Sequence, residues 1–481
     1  MSFHISFRSR LGAILCLAVA AGAGQLTQAQ NPTSAQNPYF GSVTASAATS
    51  DVLQLSLDEA IRRGLKNNLG LKESESQEKA LHGQKLGAEQ YFLPTIVLNG
   101  SNGVYQHDLI QNGFTSGTVD QFAKLLHESF AGFSPVTRDD LTEGKIFYSQ
   151  TLFSGPVIAA FKGATAAEKA AYYDKMRARG EVVQQVATAY LHAIAAESEV
   201  QNARALVRQA QLLASNAHEA HLAGVAANLD ELRAQLELKS RQQALIAAEN
   251  ALEKNQILLK REIGLAPGQQ IRLTDPAPYN ELAAETPAEV RAVAYKSRQD
   301  YQSLQNQLQE NKAIHQAYRL QRLPSLNFNG YYAVSKVNGV ASRGNFAAVG
   351  TLSMPLFREA GLRGQIDASA AQQEATRAQL ADLHGQIDAQ VRTALLDVDA
   401  TEQLVKVARS NVELATRTVS DESARVSAGV DDNLPLVTAQ ASLATAESNL
   451  VESLYQYNLA KLQLARSAGV LETEYREYLG H

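Results

Sequence analysis

The 481-residue chain has no tryptophan, one cysteine and only 12 prolines. A lone Cys16 excludes a disulfide framework and any site built from several thiolates. Proline is sparse in long stretches dominated by Ala, Leu, Gln, Glu and Arg, the bias of extended helices rather than of a mixed globular core. No apolar run beyond the N-terminus reaches the roughly 18 residues that a membrane-crossing helix needs. A net charge of -5 gives no electrostatic case for a nucleic-acid partner. Catalytic signatures are missing too: there is no phosphate-cradling P-loop, no GxGxxG opening a strand-to-helix turn and no GxSxG elbow. His218-Glu219-Ala220-His221 has the wrong spacing for HExxH, so solvated surface residues are favoured over a metal centre. No catalytic residue, cofactor or metal is expected, and the chain does not read as an enzyme.

What is present begins with an export signal. Arg8 and Arg10 precede an apolar run from Leu11 to Ala23, and Thr27-Gln28-Ala29 offers small or short residues for cleavage. Residues 1–29 therefore read as a signal peptide and 30–54 as a linker. Cleavage near Ala29 removes Cys16 with it.

The remainder contains itself twice. Gly224 with Asn228-Leu229 answers Gly429 with Asn433-Leu434, and Gly264 answers Gly469, all at an offset of 205 positions. Leu93-Pro94 answers Leu323-Pro324 at 230, so the extra residues lie between Pro94 and Phe153, as a surface-loop insertion would. The repeats span 55–265 and 286–470, joined by 266–285 and followed by a tail at 471–481. Each opens on a helix-start signal, Ser56-x-x-Glu59 or Thr286-Pro287-x-Glu289, read as capping boxes. The spacing predicts one helix from each box to about Phe92 or Arg322, stopped by the proline that follows.

Long helices are expected at about 156–222 and 360–427. Val391, Val398, Val405, Val412, Val419 and Val426 recur every seven residues, matched by Val186, Ala193, Val200, Val207, Ala214 and His221. A strict seven-residue repeat imposes left-handed winding, and Ala and Val seams bring the helices close. Return helices follow at about 229–264 and 432–468.

Four windows free of charge flank the prolines and the long helices, giving strands at about 95–106, 145–153, 325–335 and 345–357. In the third, Leu326, Phe328, Tyr332 and Val334 share one face. In the fourth, Phe346, Leu352 and Met354 do so. Period-two alternation over about ten uncharged residues marks a lipid-facing membrane strand. Asn102 and Gln150 interrupt the apolar face of the first two strands. Four strands cannot close a barrel, and an open edge in lipid leaves backbone groups unpaired at several kcal/mol each. The fold class is therefore an α+β membrane protein: long coiled-coil hairpins plus a transmembrane β-barrel completed by oligomerisation. The alternative is a secreted or periplasmic coiled-coil stalk, which explains the heptads but not the neutral strands.

The segments LSLDEAIRRGLKNNLGL, LPTIVLNGS, LPSLNFNGYYAVS and LFSGP, with the paired AGV..NL turns, resemble outer-membrane efflux proteins of the TolC type from Leu55 to Leu471. The resemblance implies a homotrimer embedded in the lipid of a Gram-negative outer membrane. It further implies a twelve-stranded barrel, a periplasmic helical tunnel, and an equatorial belt from 265–286 and the tail. A periplasmic adaptor protein and an inner-membrane pump are the implied partners, docking at a tip made of Gly224, Val225, Asn228, Gly429, Val430 and Asn433. Acidic residues often close such tunnels. Aligned on Gly429, the positions expected to hold acids are Pro435 and Thr438. The acids present near the turns are Asp230, Glu231, Asp431 and Asp432, which read either as a cation-attracting ring or as ordinary helix N-terminal acids.

Overall fold

The computed structural model describes residues 37–44, 47–112, 115–127, 136–275, 279–283, 286–428 and 433–480. The signal peptide and Gly429, Val430, Asp431 and Asp432 lie outside the described residues, as does the side chain of Asn433.

The first half runs β1 (Leu53–Leu55), α1 (Leu57–Asn67), α2 (Leu69–Glu89), β2 (Thr95–Asp108), α3 (Ser116–Leu126), β3 (Val136–Phe153), α4 (Gly155–Leu222) and α5 (Asn228–Ile263). The second half repeats this order without the inserted helix: β4 (Ile271–Leu273), α6 (Pro287–Ser297), α7 (Gln299–Leu320), β5 (Ser325–Val337), β6 (Arg343–Ser353), α8 (Glu359–Ser427) and α9 (Asn433–Ala468). A last helix, α10 (Leu471–Leu479), closes the chain. At 1.5 Å per residue α4 and α8 are each about 100 Å long.

Along its upper part α4 packs against α2 and α7, with α8 beyond α7. Along its lower part it packs against α5 and α9, with α8 beyond α9. The short helices thus take the places that the half-length return helices leave empty. Lys175 to Glu78 (2.7 Å) and Lys85 to Glu168 (2.8 Å) tie α4 to α2.

The core sits midway along α4. Tyr190, fully buried there, donates to the Leu55 carbonyl at 2.9 Å and to Asp275 at 3.1 Å. Asp275 also accepts from the Leu57 amide at 2.7 Å. β1 and β4 pair in parallel, Leu53 to Ile271 and Leu55 to Leu273, across this point. Leu471, Tyr475 and Leu479 of α10 belong to the same cluster, and the Tyr475 hydroxyl reaches Asp58 at 2.7 Å. The described residues of the linker after Gly264 and the tail after Gly469 therefore form a belt against the middle of α4.

Two expectations change at the helix starts. Only Thr286 and Glu289 make a full capping box; Ser56 caps the Glu59 amide, while the Glu59 carboxylate turns to Arg62 and Arg63. The single helices expected to Phe92 and Arg322 are each broken, at Asn68 and at Arg298, where ψ swings to 134° and 121°. The cause is close approach by the end of the return helix. A Cβ on Gly264 would lie 2.8 Å from Asn67, and one on Gly469 would lie 2.7 Å from the Arg298 nitrogen. Both glycines have φ near +77°, the left-handed cap that ends a helix. Asn68 restarts its helix by accepting from the Leu71 amide while it donates to the Tyr39 carbonyl.

Candidate functional site: the strand wall and the hairpin tips

The four long strands form one antiparallel sheet in the order β2-β3-β5-β6. Register fixes which residues share a face. Leu98, Ile146, Tyr332 and Phe346 stand in one row across all four strands. Leu326 is paired with Leu352, and Val334 lies between Gly144 and Gly344. In a single copy Leu98, Phe346 and Leu352 are more than 70% exposed. A contiguous apolar face of this kind is a liability in water and a wall in lipid. It is also what a water-borne stalk leaves unexplained. β6 ends at Ser353, so Met354, expected within that strand, lies one residue beyond it.

The two polar interruptions of this face are satisfied. Asn102 donates to Thr142 across the strands at 2.8 Å. Gln150 donates to the Phe92 carbonyl at 3.1 Å and accepts from the Tyr148 hydroxyl at 2.6 Å. Each bond removes the desolvation penalty that an unpaired amide suffers in hydrocarbon. The opposite face carries Asn99, Ser101, Asn327, Asn329, Ser335 and Asn345.

Sequence reasoning missed the length of β3. Expected from residue 145, it begins at Val136 and takes in Arg138, Asp139, Asp140 and Glu143 as well. A search for uncharged windows discards those positions. Their alternating half-buried and exposed pattern is the strand signal that charge concealed. The β5–β6 turn, Asn338-Gly339, has two positive φ angles as a tight hairpin requires, and Asn338 donates to Asp139 at 2.8 Å.

Among the described residues β2 and β6 each have a single partner strand, so both outer edges of the sheet are free within one copy. The helical layer ends on the same two sides. α5 leaves Leu232, Leu236 and Ile246 more than half exposed. α8 exposes Leu396, Leu404, Val407 and Leu414 opposite its contact with α9.

At the far end of α4 the chain turns through Gly224, whose φ is +72°, and re-enters a helix at Asn228. Val225 projects from this turn at 80% exposure. Asp230 and Glu231 occupy the first turn of α5 with different surroundings. Asp230 lies 3.4 Å from Arg233. Glu231 is buried: one carboxylate oxygen is 2.8 Å from His218 Nδ1, the other 2.5 Å from His221 Nδ1, and Gln235 donates at 2.9 Å. Hydrogen bonds from His218, then His221, hold its carboxyl below the usual range. The histidines, expected as solvated surface residues, are 54% and 39% exposed and also clasp α4 to α5, and Glu231 is engaged with them. Among the described residues no three His, Asp or Glu side chains converge as a metal ion would require, and no helix is long and apolar enough to cross a membrane.

A family model described as outer membrane efflux protein matches residues 60–265 and 290–470. The pyoverdine export outer membrane protein OpmQ of Pseudomonas aeruginosa is 24% identical over 412 residues, 85% of this chain and 82% of that protein. A membrane protein from Pseudomonas aeruginosa has a similar solved structure, with a TM-score of 0.72 at 18% identity over 89% of this chain and 97% of that one. The open MtrE outer membrane channel of Neisseria gonorrhoeae gives 0.69 at 17% identity, covering 93% and 99%. At these identities the structural likeness speaks for the fold alone.

Proposed function

Since the chain belongs to the outer membrane efflux protein family, we propose that three copies close into one passive conduit, β2 of each copy pairing with β6 of the next. The protein is an outer-membrane channel of an efflux system, with strands in the membrane and helices reaching across the periplasm. The observation that carries the closure is a sheet with one apolar face and two free edges. In hydrocarbon those edges leave backbone groups unpaired, and a neighbouring copy supplies the missing partners. Three copies of four strands make twelve, wide enough for an open lumen, whereas eight strands fill with side chains. The exposed stripes of α5 and α8 lie on the same two sides and meet in the same contact.

In this reading Leu326, Phe328, Tyr332, Val334, Phe346 and Leu352 face lipid, with Met354 at its border. The other face lines the lumen. Gly224, Val225, Asn228, Gly429, Val430 and Asn433 present the tip to a periplasmic adaptor and, through it, to an inner-membrane pump. Asp230, Asp431 and Asp432 ring the tip and favour cations. Glu231 is lent to its histidines instead.

The test is assembly. Native mass spectrometry of detergent-purified protein from the outer membrane should give three copies, and the same material should conduct in a planar bilayer. Leu352→Arg should cost about 2–4 kcal/mol near the membrane midplane and deplete the SDS-resistant oligomer, while Asn327→Arg should assemble. A monomeric mass, or equal tolerance of the two arginines, would sink the assignment.

A further inference from the structure

Glu143 and Lys145 lie two residues apart within β3, on the same face as Asn99 and Asn345. Register places them on adjacent rungs. One rung reads Asn99, Lys145, Ala333, Asn345; the next toward the hairpin turns reads Ser101, Glu143, Ser335, Arg343. On the other side of the lysine comes an apolar rung of Val97, Phe147, Tyr331 and Ala347.

Lys145 does not extend away from the sheet. Its Nζ lies 3.1 Å from Glu143 Oε1, 4.0 Å from the centre of the Tyr331 ring and 5.0 Å from that of Phe147. The two charged side chains are only 22% and 19% exposed, and Ala333, the neighbour of Lys145 in its rung, is fully buried. An exposed ion pair alone gains too little to hold a lysine flat against its entropy. Two ring faces add the attraction that fixes it at one height. A charge held at one height in a pore acts on every ion that passes.

We propose that Lys145 and Glu143 form a compensated girdle that sets the ion preference of the barrel, with Lys145 as the specificity-determining residue and Tyr331 and Phe147 as its shelf. This rests on the assignment of that face to the lumen. Each copy adds the Glu143–Lys145 pair with Arg343 on the glutamate's rung. Loss of the lysine shifts the girdle toward cations; loss of the glutamate shifts it toward anions.

The measurement is the reversal potential in a KCl gradient across planar bilayers, taken on variants recovered as SDS-resistant oligomers. Lys145→Gln should raise the potassium-to-chloride permeability ratio about fivefold, the combined factor for a unit charge roughly 8 Å from the two ions in water, attracting one and repelling the other. Glu143→Gln should lower it by a similar factor. The double variant should return toward wild type, and Lys145→Arg should keep the wild-type ratio. Equal ratios in all five proteins overturn the girdle. An independent arm treats Asn99→Cys and Phe346→Cys with a charged, water-soluble thiol reagent. If Asn99→Cys reacts and current falls while the ratios stay equal, the girdle fails and the lumen assignment stands. If only Phe346→Cys reacts, the lumen assignment itself fails.

Discussion

The two long helices differ by one residue in length and carry the same seven-residue seams, yet α4 buries 23 of its 68 residues and α8 only nine of 69. Position in the layer accounts for the difference. α4 lies between neighbours on both sides over its whole length. α8 has α7 and α9 on one side, and among the described residues Leu396, Leu404, Val407 and Leu414 stay more than half exposed. The copies diverge again at matched positions. Glu231, clasped by His218 and His221, corresponds to Leu436, and buried Glu262 at the end of α5 corresponds to Ser467 at the end of α9. A duplicated sequence has kept its periodicity while its two halves took up different tasks, one at the centre of the subunit and one at its edge.

The strongest way to break this comparison is to strike the centre. Tyr190→Ala removes a fully buried ring together with its bonds to the Leu55 carbonyl and Asp275, at about 3–5 kcal/mol. The subunit should become sensitive to limited proteolysis before any assembly. A variant as resistant as wild type would mean that the belt does not depend on α4. At the edge, Val407→Asp combined with Leu414→Asp should leave helical content and subunit folding intact but abolish the SDS-resistant oligomer. An oligomer that survives would show that this stripe of α8 meets no neighbouring copy.

The smallest expected effect separates Glu262 from Ser467. Burial pushes the Glu262 carboxyl up to about 8, and among the described residues its Oε2 has no hydrogen-bond partner. Its folded-state value lies above its unfolded one, so its contribution is fully present below the usual carboxylate range and fades as pH rises through about 8. Lys461, buried and pushed down to about 8, acts in the opposite sense, because unfolding lets it bind a proton. The informative quantity is therefore wild type minus Glu262→Gln. Between pH 7 and 9 wild type should lose about 1 kcal/mol relative to that variant in chemical denaturation. Parallel pH curves would place the carboxylate in water.

Much of this architecture was legible in the sequence. The duplication, both long helices, both return helices and the four strands follow from repeats of seven and of two, because each period is written in local side-chain order. The breaks at Asn68 and Arg298 were not, since they answer to Gly264 and Gly469, which arrive from the far ends of the return helices. The three-residue β1 and β4 also escaped: a strand so short has no period of its own, and its partner lies more than 200 positions away. At the candidate site the apolar rows are readable, but a reading that ends strands at charge opens this one only at Lys145 and leaves Glu143 outside it.

The sequence by itself determined the periods, the caps and the order of elements, since these depend on residues within a few turns of one another. Only the tertiary structure decided which of two equivalent helices became interior, which acid was clasped by histidines and which charges entered the strand wall. Burial and pairing are properties of neighbours, and here the neighbours come from distant parts of the chain.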